Sequence, residues 1–481
     1  MVYGIIYKIS FLEGEIFQMI RKIFKRLSPT QIIVTGFLIL DLIGTLLLLM
    51  PFSSSAEEKT TFIDALFTST SALCVTGLST VNTLAHWSLF GKYVILFLIQ
   101  IGGIGFMTVV TTILVILGKK ITLKERIVMQ ESFNLDTFQG MVSFTKKIVK
   151  GTLFFEAVGA VLLSIRFISD FGFSKGILYG IFHSISSFCN AGFDILGTNS
   201  LAPYSNDLYI NIVIALLIII GGLGFIVWVD IAKIFKDEKI KNFSLKNKLQ
   251  NLSLQSKLVL SITLSLIVFG WIYIFLSEYD NPATLGNMSF FEKLIASFFQ
   301  SVTFRTAGYA TISQGSLTYA AKFLGIILML IGGSSGSTAG GIKTVTVGAV
   351  WAAVISVVRG RDSVCMFKKS ISFNTVQKAL TVIIMMIFFL IVLSIALSFT
   401  EKNIEYEYEF IDLFFEASSA LGTVGLSTGI TPYLSISGKI FICIGMFVGR
   451  LGPVTIAVAL SSKKGSGENL LHYPEEKIFV G

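Results

Sequence analysis

The sequence predicts an all-α polytopic membrane protein in which four repeats of helix, pore half-helix, filter loop and helix surround one central pore. That architecture has eight transmembrane helices and four re-entrant half-helices. Three observations predict it. The 481 residues are 53% apolar and only 14% charged, with 43 Phe and a mean hydropathy of +0.79, against roughly 25% charged residues in soluble domains. Stretches 32–49, 94–117, 153–168, 208–229, 258–276, 382–399 and 440–460 approach or exceed the roughly 20 apolar residues that a spanning helix needs. Finally, Gly77, Gly192, Gly308 and Gly425 follow one another at intervals of 115, 116 and 117 residues.

The period reflects an internal repeat. Laid over each other, Phe62–Thr80 and Phe410–Thr428 share 11 identities in 19 positions. The second and third copies keep an aromatic-rich helix, the glycine and an aromatic after it. Even spacing of four such units marks a repeat architecture. The expected organisation is an N-terminal arm (1–27), pore repeats one (28–118), two (119–235), three (236–358) and four (359–462), and a C-terminal tail (463–481). Residues 1–27 are amphipathic and basic, without a cleavable signal pattern.

Within each repeat the first long apolar stretch is a spanning helix. A short segment follows, at 62–73, 177–188, 290–301 and 410–421. Twelve residues rise only about 18 Å, short of a hydrocarbon core of about 30 Å. Such a half-helix, followed by irregular backbone, is tolerated at membrane depth only where protein or water covers it. Its partially negative C-terminal end can point at a cation, and the next few carbonyls can replace a hydration shell. The filter residues so predicted are Val75, Thr76 and Gly77; Asn190, Ala191 and Gly192; Thr306, Ala307 and Gly308; and Thr423, Val424 and Gly425. Glycine allows four backbones to approach one axis; glycines serving helix packing alone are the competing reading.

A second glycine cluster falls inside each following apolar segment: 102–105, 221–224, 332–336 and 445–449. Small-residue helix packing accounts best for the first two. The third segment is interrupted by Gly332, Gly333, Ser334, Ser335, Gly336, Ser337, Thr338, Ala339, Gly340, Gly341, Ile342 and Lys343. So much glycine cannot remain a regular lipid-facing helix. A polar loop below a filter is a candidate gate, with a packing kink as the alternative. In the fourth segment stands Arg450. An intramembrane arginine costs at least about 2.5–3.5 kcal/mol on insertion scales and so normally has a partner or a task. It can resist cation passage and hold the loop by hydrogen bonds, or snorkel to the inner interface. Asp41, Glu156 and Arg166 are assigned nothing beyond intramembrane pairing.

Of 38 Lys and Arg, 27 fall in the N-terminus, the loops 118–151, 233–257 and 359–378, and the C-terminus; seven fall on the opposite side. Both termini are therefore expected in the cytoplasm, and the net charge of +9 reports topology rather than nucleic-acid binding. The outer loops are acidic, which concentrates cations at the mouth unless they are ordinary solvated loops. The four Cys and three His show no metal-ligand spacing, and no nucleophile–base set marks an intramembrane enzyme.

These strings resemble the Trk/Ktr/HKT superfamily of potassium transporters, and most closely its Ktr-type (KtrB) membrane subunit, over about 28–481. The resemblance rests on Val75-Thr-Gly-Leu78, Leu98-Ile-Gln-Ile-Gly-Gly-Ile-Gly-Phe-Met-Thr108, Leu117-Gly-Lys-Lys-Ile-x-Leu-Lys-Glu-Arg126, Arg305-Thr-Ala-Gly308, Gly341-Ile-Lys343, Thr423-Val-Gly-Leu426 and Gly449-Arg-x-Gly-Pro453. It implies K⁺ uptake through one pore per subunit of a bacterial cytoplasmic membrane, Na⁺ as an activator, a filter at the four glycines, and a gate at Gly332–Lys343 with Arg450. It also implies a homodimer on a cytosolic RCK-type (KtrA/KtrC-like) ring that binds ATP, ADP or cyclic di-AMP. No cofactor is expected on this chain itself. The ending Tyr473–Gly481 resembles the tail that packs at the dimer interface. The N-terminal arm is longer, and the gate loop richer in glycine, than that pattern. The alternatives are the ion-translocating subunit of a K⁺ pump complex and a Na⁺-permeable Trk/HKT-like transporter.

Overall fold

The computed structural model describes residues 27–55, 59–117, 121–133, 140–197, 200–236, 247, 250–402, 404 and 406–461. The arm over 1–26 and the tail over 463–481 lie outside the described residues. The first quarter comprises α1 (Pro29–Leu48), the short α2 (Phe62–Leu73), α3 (Leu89–Ile104) and α4 (Phe106–Ile116). After α5 (Leu123–Phe133) come α6 (Met141–Phe171), α7 (Phe173–Phe188), α8 (Leu208–Leu223) and α9 (Phe225–Lys236). The third quarter is α10 (Leu254–Glu278), α11 (Phe290–Thr303), α12 (Tyr319–Leu330) and α13 (Thr344–Val358). An antiparallel pair, β1 (Cys365–Met366) and β2 (Lys369–Ser370), leads into α14 (Phe373–Thr400), α15 (Phe410–Gly422), α16 (Ile436–Leu451) and α17 (Pro453–Leu460).

The helices start where short polar residues stand. Ser28 and Ser289 form capping boxes with Gln31 and Glu292, and Thr61, Ser88, Ser253, Thr318, Ser372 and Ser435 cap α2, α3, α10, α12, α14 and α16. Each cap satisfies an orphan amide and stabilises its helix by about 1 kcal/mol. Two buried carboxylates join the ends of different helices. Glu278 accepts from the amide and hydroxyl of Thr318 at 2.9 and 2.6 Å; Glu401 accepts from the amide and hydroxyl of Ser435 at 2.8 and 2.7 Å.

Among the described residues α1, α6, α10 and α14 are each long and apolar enough to cross a membrane. Their outer faces expose Leu46, Leu264 and Ile384, whereas the half-helices bury Phe67, Phe188, Phe299 and Phe415 completely. Apolar side chains outside and a sealed centre suit lipid as the solvent.

One sequence expectation is corrected. The second apolar segments of the first, second and fourth quarters are not continuous helices, although Gly102 and Gly221 do pack closely, as expected. The chain turns by 97° between α3 and α4, 92° between α8 and α9, and 97° between α16 and α17. The hinges Gly105, Gly224 and Gly452 have φ of 90°, 90° and 86°, a region closed to the helix and favourable only to glycine. Interruption is thus common to all four quarters. The half-helix of the second quarter also starts earlier than expected, at Phe173, because Gly172 (φ 80°) ends α6 and opens α7 without an intervening loop.

Candidate functional site: a ring of four glycines and the loop against it

Each half-helix ends in the same backbone figure. The residue two before the glycine is left-handed in every quarter: Val75 (φ 57°), Asn190 (61°), Thr306 (63°) and Thr423 (50°). This conformation costs non-glycine residues roughly 1–2 kcal/mol, so four occurrences at one position mark a backbone held by its surroundings. The following amide turns back onto the helix, Thr76 to the Ser71 carbonyl at 2.8 Å, Ala191 to Ser186 at 2.7 Å and Val424 to Ser419 at 2.8 Å. In the third quarter Ala307 reaches Thr303 instead, at 3.0 Å.

The figure brings the four glycines together. All have positive φ, at 100°, 68°, 79° and 94° for Gly77, Gly192, Gly308 and Gly425. A β-carbon on Gly192 would stand 2.7 Å from the Ala307 carbonyl oxygen and from the Gly308 Cα; one on Gly308 would stand 2.6 Å from the Val424 oxygen. A β-carbon on Gly77 would strike the Ala191 oxygen, and one on Gly425 the Thr76 oxygen. Each glycine therefore faces the carbonyl preceding the glycine of the next quarter, around a closed ring. The carbonyl oxygens of Thr76, Ala191, Ala307 and Val424 thus stand around one ring, each against the glycine of a neighbouring quarter.

The quarters support the ring in two ways. In the first and fourth, the amides of Gly77 and Gly425 donate to the hydroxyls of Ser71 and Ser419, both at 3.0 Å. In the second and third, Ser186 and Thr303 donate instead to the carbonyls of Phe193 and Tyr309, at 2.7 and 2.6 Å. The Tyr309 hydroxyl crosses to the Phe193 carbonyl at 3.2 Å, joining these two quarters. The packing glycines act here too: a β-carbon on Gly102, Gly221 or Gly449 would collide with the last carbonyls of the half-helices at Leu73, Phe188 and Leu421.

The loop 332–343 lies between α12 and α13 with its two ends paired. Gly332 donates to the Ile342 carbonyl at 3.0 Å, and Ile342 to Leu330 at 2.9 Å. Ser334 donates to Gly222 (2.9 Å), Phe225 donates to Gly336 (2.8 Å), and Thr338 Oγ1 donates to Phe188 (3.1 Å) and approaches Asn190 Oδ1 at 3.2 Å. A β-carbon on Gly332 would lie 3.3 Å from Thr306 Cγ2, and one on Gly340 would lie 3.1 Å from Thr423 Cβ. The loop thus abuts three of the four left-handed residues, and it is covered by protein, as irregular backbone at membrane depth must be.

Three cations hold it. Arg450 donates through one terminal nitrogen to the Thr338 carbonyl and through the other to those of Gly102 and, at 3.4 Å, Gly103. Lys343 donates to the Ala339 carbonyl at 2.7 Å, and Arg305 to that of Gly332 at 3.2 Å. All twelve expected filter residues and the loop with Arg450 are therefore assembled in one place. Sequence reasoning missed Arg305 as a loop anchor, although a cation within an apolar segment was its signal. Asp41 and Glu156 meet Thr70 and Gln100, at 2.8 and 3.1 Å, and among the described residues neither forms an ion pair. Arg166 pairs with Asp170 at 2.6 Å and Asp207 at 2.8 Å. Cys74, Cys189 and Cys443 are buried free thiols.

Fold and site together define a polytopic membrane transport protein built around a single axis. The chain belongs to the family described as TrkH, cation transport protein, which it matches over residues 1–471. It is 43% identical to the potassium/sodium uptake protein NtpJ of Enterococcus hirae, with 96% of this chain and 99% of that protein covered. It is 39% identical to Ktr system potassium uptake protein B of Bacillus subtilis (95% and 97% covered) and 36% identical to that of Vibrio alginolyticus (94% and 94%). The fold is that of the potassium transporter TrkH from Vibrio parahaemolyticus, with a TM-score of 0.68 over 90% of this chain and 84% of that one at 18% identity.

Proposed function

We propose that this chain is the pore-forming subunit of a Ktr-type system that takes up K⁺ across the bacterial cytoplasmic membrane, with both termini inside. The observation that carries the reading is the convergence of the Thr76, Ala191, Ala307 and Val424 carbonyls around the glycine ring. It occurs in a chain 36–43% identical to proteins named for potassium uptake. K⁺ exchanges its hydration shell for these oxygens and passes down its electrochemical gradient. The four pore repeats (28–118, 119–235, 236–358 and 359–462) each supply one quadrant of the filter.

Residues 332–343 are the gate, and Arg450 its latch. The loop occupies the space against the filter from Asn190 to Thr423, and the guanidinium adds a positive charge where a cation would leave. Opening requires the Arg450–Thr338 contact to part. The Ktr system names of two relatives support a multi-component system. In this reading a homodimer of the chain sits on a cytosolic RCK-type ring, and ATP, ADP or cyclic di-AMP binds to the ring. The word sodium in the name of the Enterococcus relative supports Na⁺ as an activator or a second permeant ion.

Expression in cells that lack their own K⁺ uptake tests this function. Growth at low K⁺ should be restored, with the ring co-expressed. Absence of rescue while the protein is present in the membrane contradicts it.

A further inference from the structure

Behind each filter quadrant a buried polar side chain stands eight or nine residues before the glycine, and the four are unlike. In the first quarter it is Thr68, whose hydroxyl has no hydrogen-bond partner among the described residues. In the second it is His183, whose Nδ1 lies 2.8 Å from the Tyr179 carbonyl while Nε2 accepts from the Ile195 amide at 3.4 Å. In the third, Gln300 exchanges two hydrogen bonds with Gln314, at 2.5 and 3.1 Å. In the fourth it is Glu416, fully buried.

Glu416 reaches across to the segment that follows the filter. Its Oε1 accepts from the Ser427 hydroxyl at 2.5 Å and the Thr428 amide at 3.0 Å; its Oε2 accepts from the Thr431 hydroxyl at 2.9 Å. The Thr428 amide can only donate, and with both hydroxyls turned to donate as well the three contacts satisfy an ionised carboxylate, which can only accept. Among the described residues it forms no ion pair. A charge buried without a counter-ion is costly and persists only where hydrogen bonds hold it and a further interaction rewards it. The half-helix that carries Glu416 ends at the Thr423–Gly425 filter, so the available counter-charge is a cation in the pore.

We infer that Glu416 is a positioning and specificity-determining residue of the pore: it braces residues 427–431 against α15 and supplies the fixed negative charge that favours cation entry at the fourth quadrant. The inference rests on the pore reading above. It assigns two separable effects to one side chain, shape through the three hydrogen bonds and attraction through the charge.

Glu416→Gln separates them. Glutamine keeps the volume and can meet the same three partners, with the Thr431 hydroxyl accepting instead of donating, but carries no charge. In rubidium-tracer uptake by proteoliposomes holding the full chain and its ring, E416Q should raise the half-saturating K⁺ concentration roughly three- to tenfold. Maximal uptake and the K⁺/Na⁺ preference should remain near those of the unmodified protein. Thr431→Val, which keeps the charge and removes one brace, should instead lower the K⁺/Na⁺ preference with little change in half-saturation. E416Q with unaltered half-saturation, at equal abundance in the vesicles, overturns the charge role; T431V with unaltered selectivity overturns the brace. No uptake by the unmodified protein contradicts the pore reading itself, a different failure.

Discussion

The guanidinium of Arg450 donates to the main-chain carbonyl of Thr338, tying the middle of the polar loop to the last quarter of the chain. Its second terminal nitrogen reaches Gly102 in the first quarter. One side chain thus bridges three of the four repeats at the point where their interrupted helices meet. If this bridge keeps the pore shut, Arg450→Ala should raise K⁺ flux in the absence of the activating nucleotide. Arg450→Lys should raise it less, because an ammonium keeps the charge but cannot fork between two carbonyls. Tracer uptake by both variants decides; equal flux in all three proteins removes Arg450 from the gate.

The loop itself makes a related prediction. Its ends are paired through Gly332 and Ile342, so residues inside that pairing can be removed without separating α12 from α13. Deleting 334–339 should leave a folded protein with raised flux and no response to the proposed ring. A deletion that folds and retains the unmodified flux shows that the loop does not obstruct the path.

At the ring, side chains are excluded by position and by φ. Gly77→Ser places a β-carbon against the Ala191 carbonyl at a φ of 100°, a conformation that costs an L-residue roughly 1–2 kcal/mol. The first quadrant must shift outward, so K⁺ flux and preference over Na⁺ should both fall. Paired K⁺ and Na⁺ uptake measures this, and unchanged selectivity takes Gly77 out of the filter.

Two ion pairs close two of the four seams between repeats. Lys322 on α12 meets Asp412 on α15 at 2.8 Å, and Lys439 on α16 meets Asp64 on α2 at 3.1 Å. The two lysines are 117 residues apart and the two aspartates 348, so one contact is repeated a quarter-turn on. The corresponding Lys92 instead donates to the Leu84 carbonyl at 2.8 Å. Because both pairs are largely shielded from water, Lys322→Met or Asp412→Asn alone should lower stability by about 1–3 kcal/mol. The double variant should lose less than the sum. Thermal unfolding in detergent checks the coupling; strict additivity shows that the pair contributes nothing as a pair.

Much of this site was legible because short half-helices and evenly spaced glycines are local patterns. Ser334, Thr338 and their glycine neighbours likewise exclude a regular helix by composition alone. The bends at Gly105, Gly224 and Gly452 were not legible. A glycine in an apolar run serves equally to pack a helix or to end one, and the deciding φ is set by tertiary contacts such as that of Phe225 with Gly336. Three of the left-handed residues, Val75, Thr306 and Thr423, are β-branched, a type that avoids that conformation, and only Asn190 favours it. Partners such as Lys439 and Asp64, or Lys322 and Asp412, are joined only by the closure of the repeats.

The proposed function makes one chain a passive, K⁺-preferring path through four glycine-lined quadrants. It is tested most directly by ion flux in vesicles reconstituted with the full chain and the proposed ring, under imposed K⁺ or Na⁺ gradients and clamped potential. Flux should run down the gradient, be larger for K⁺ than for Na⁺ and be independent of ATP hydrolysis. Flux that stops when ATP hydrolysis is blocked at constant potential, or the absence of any K⁺ flux, would contradict it.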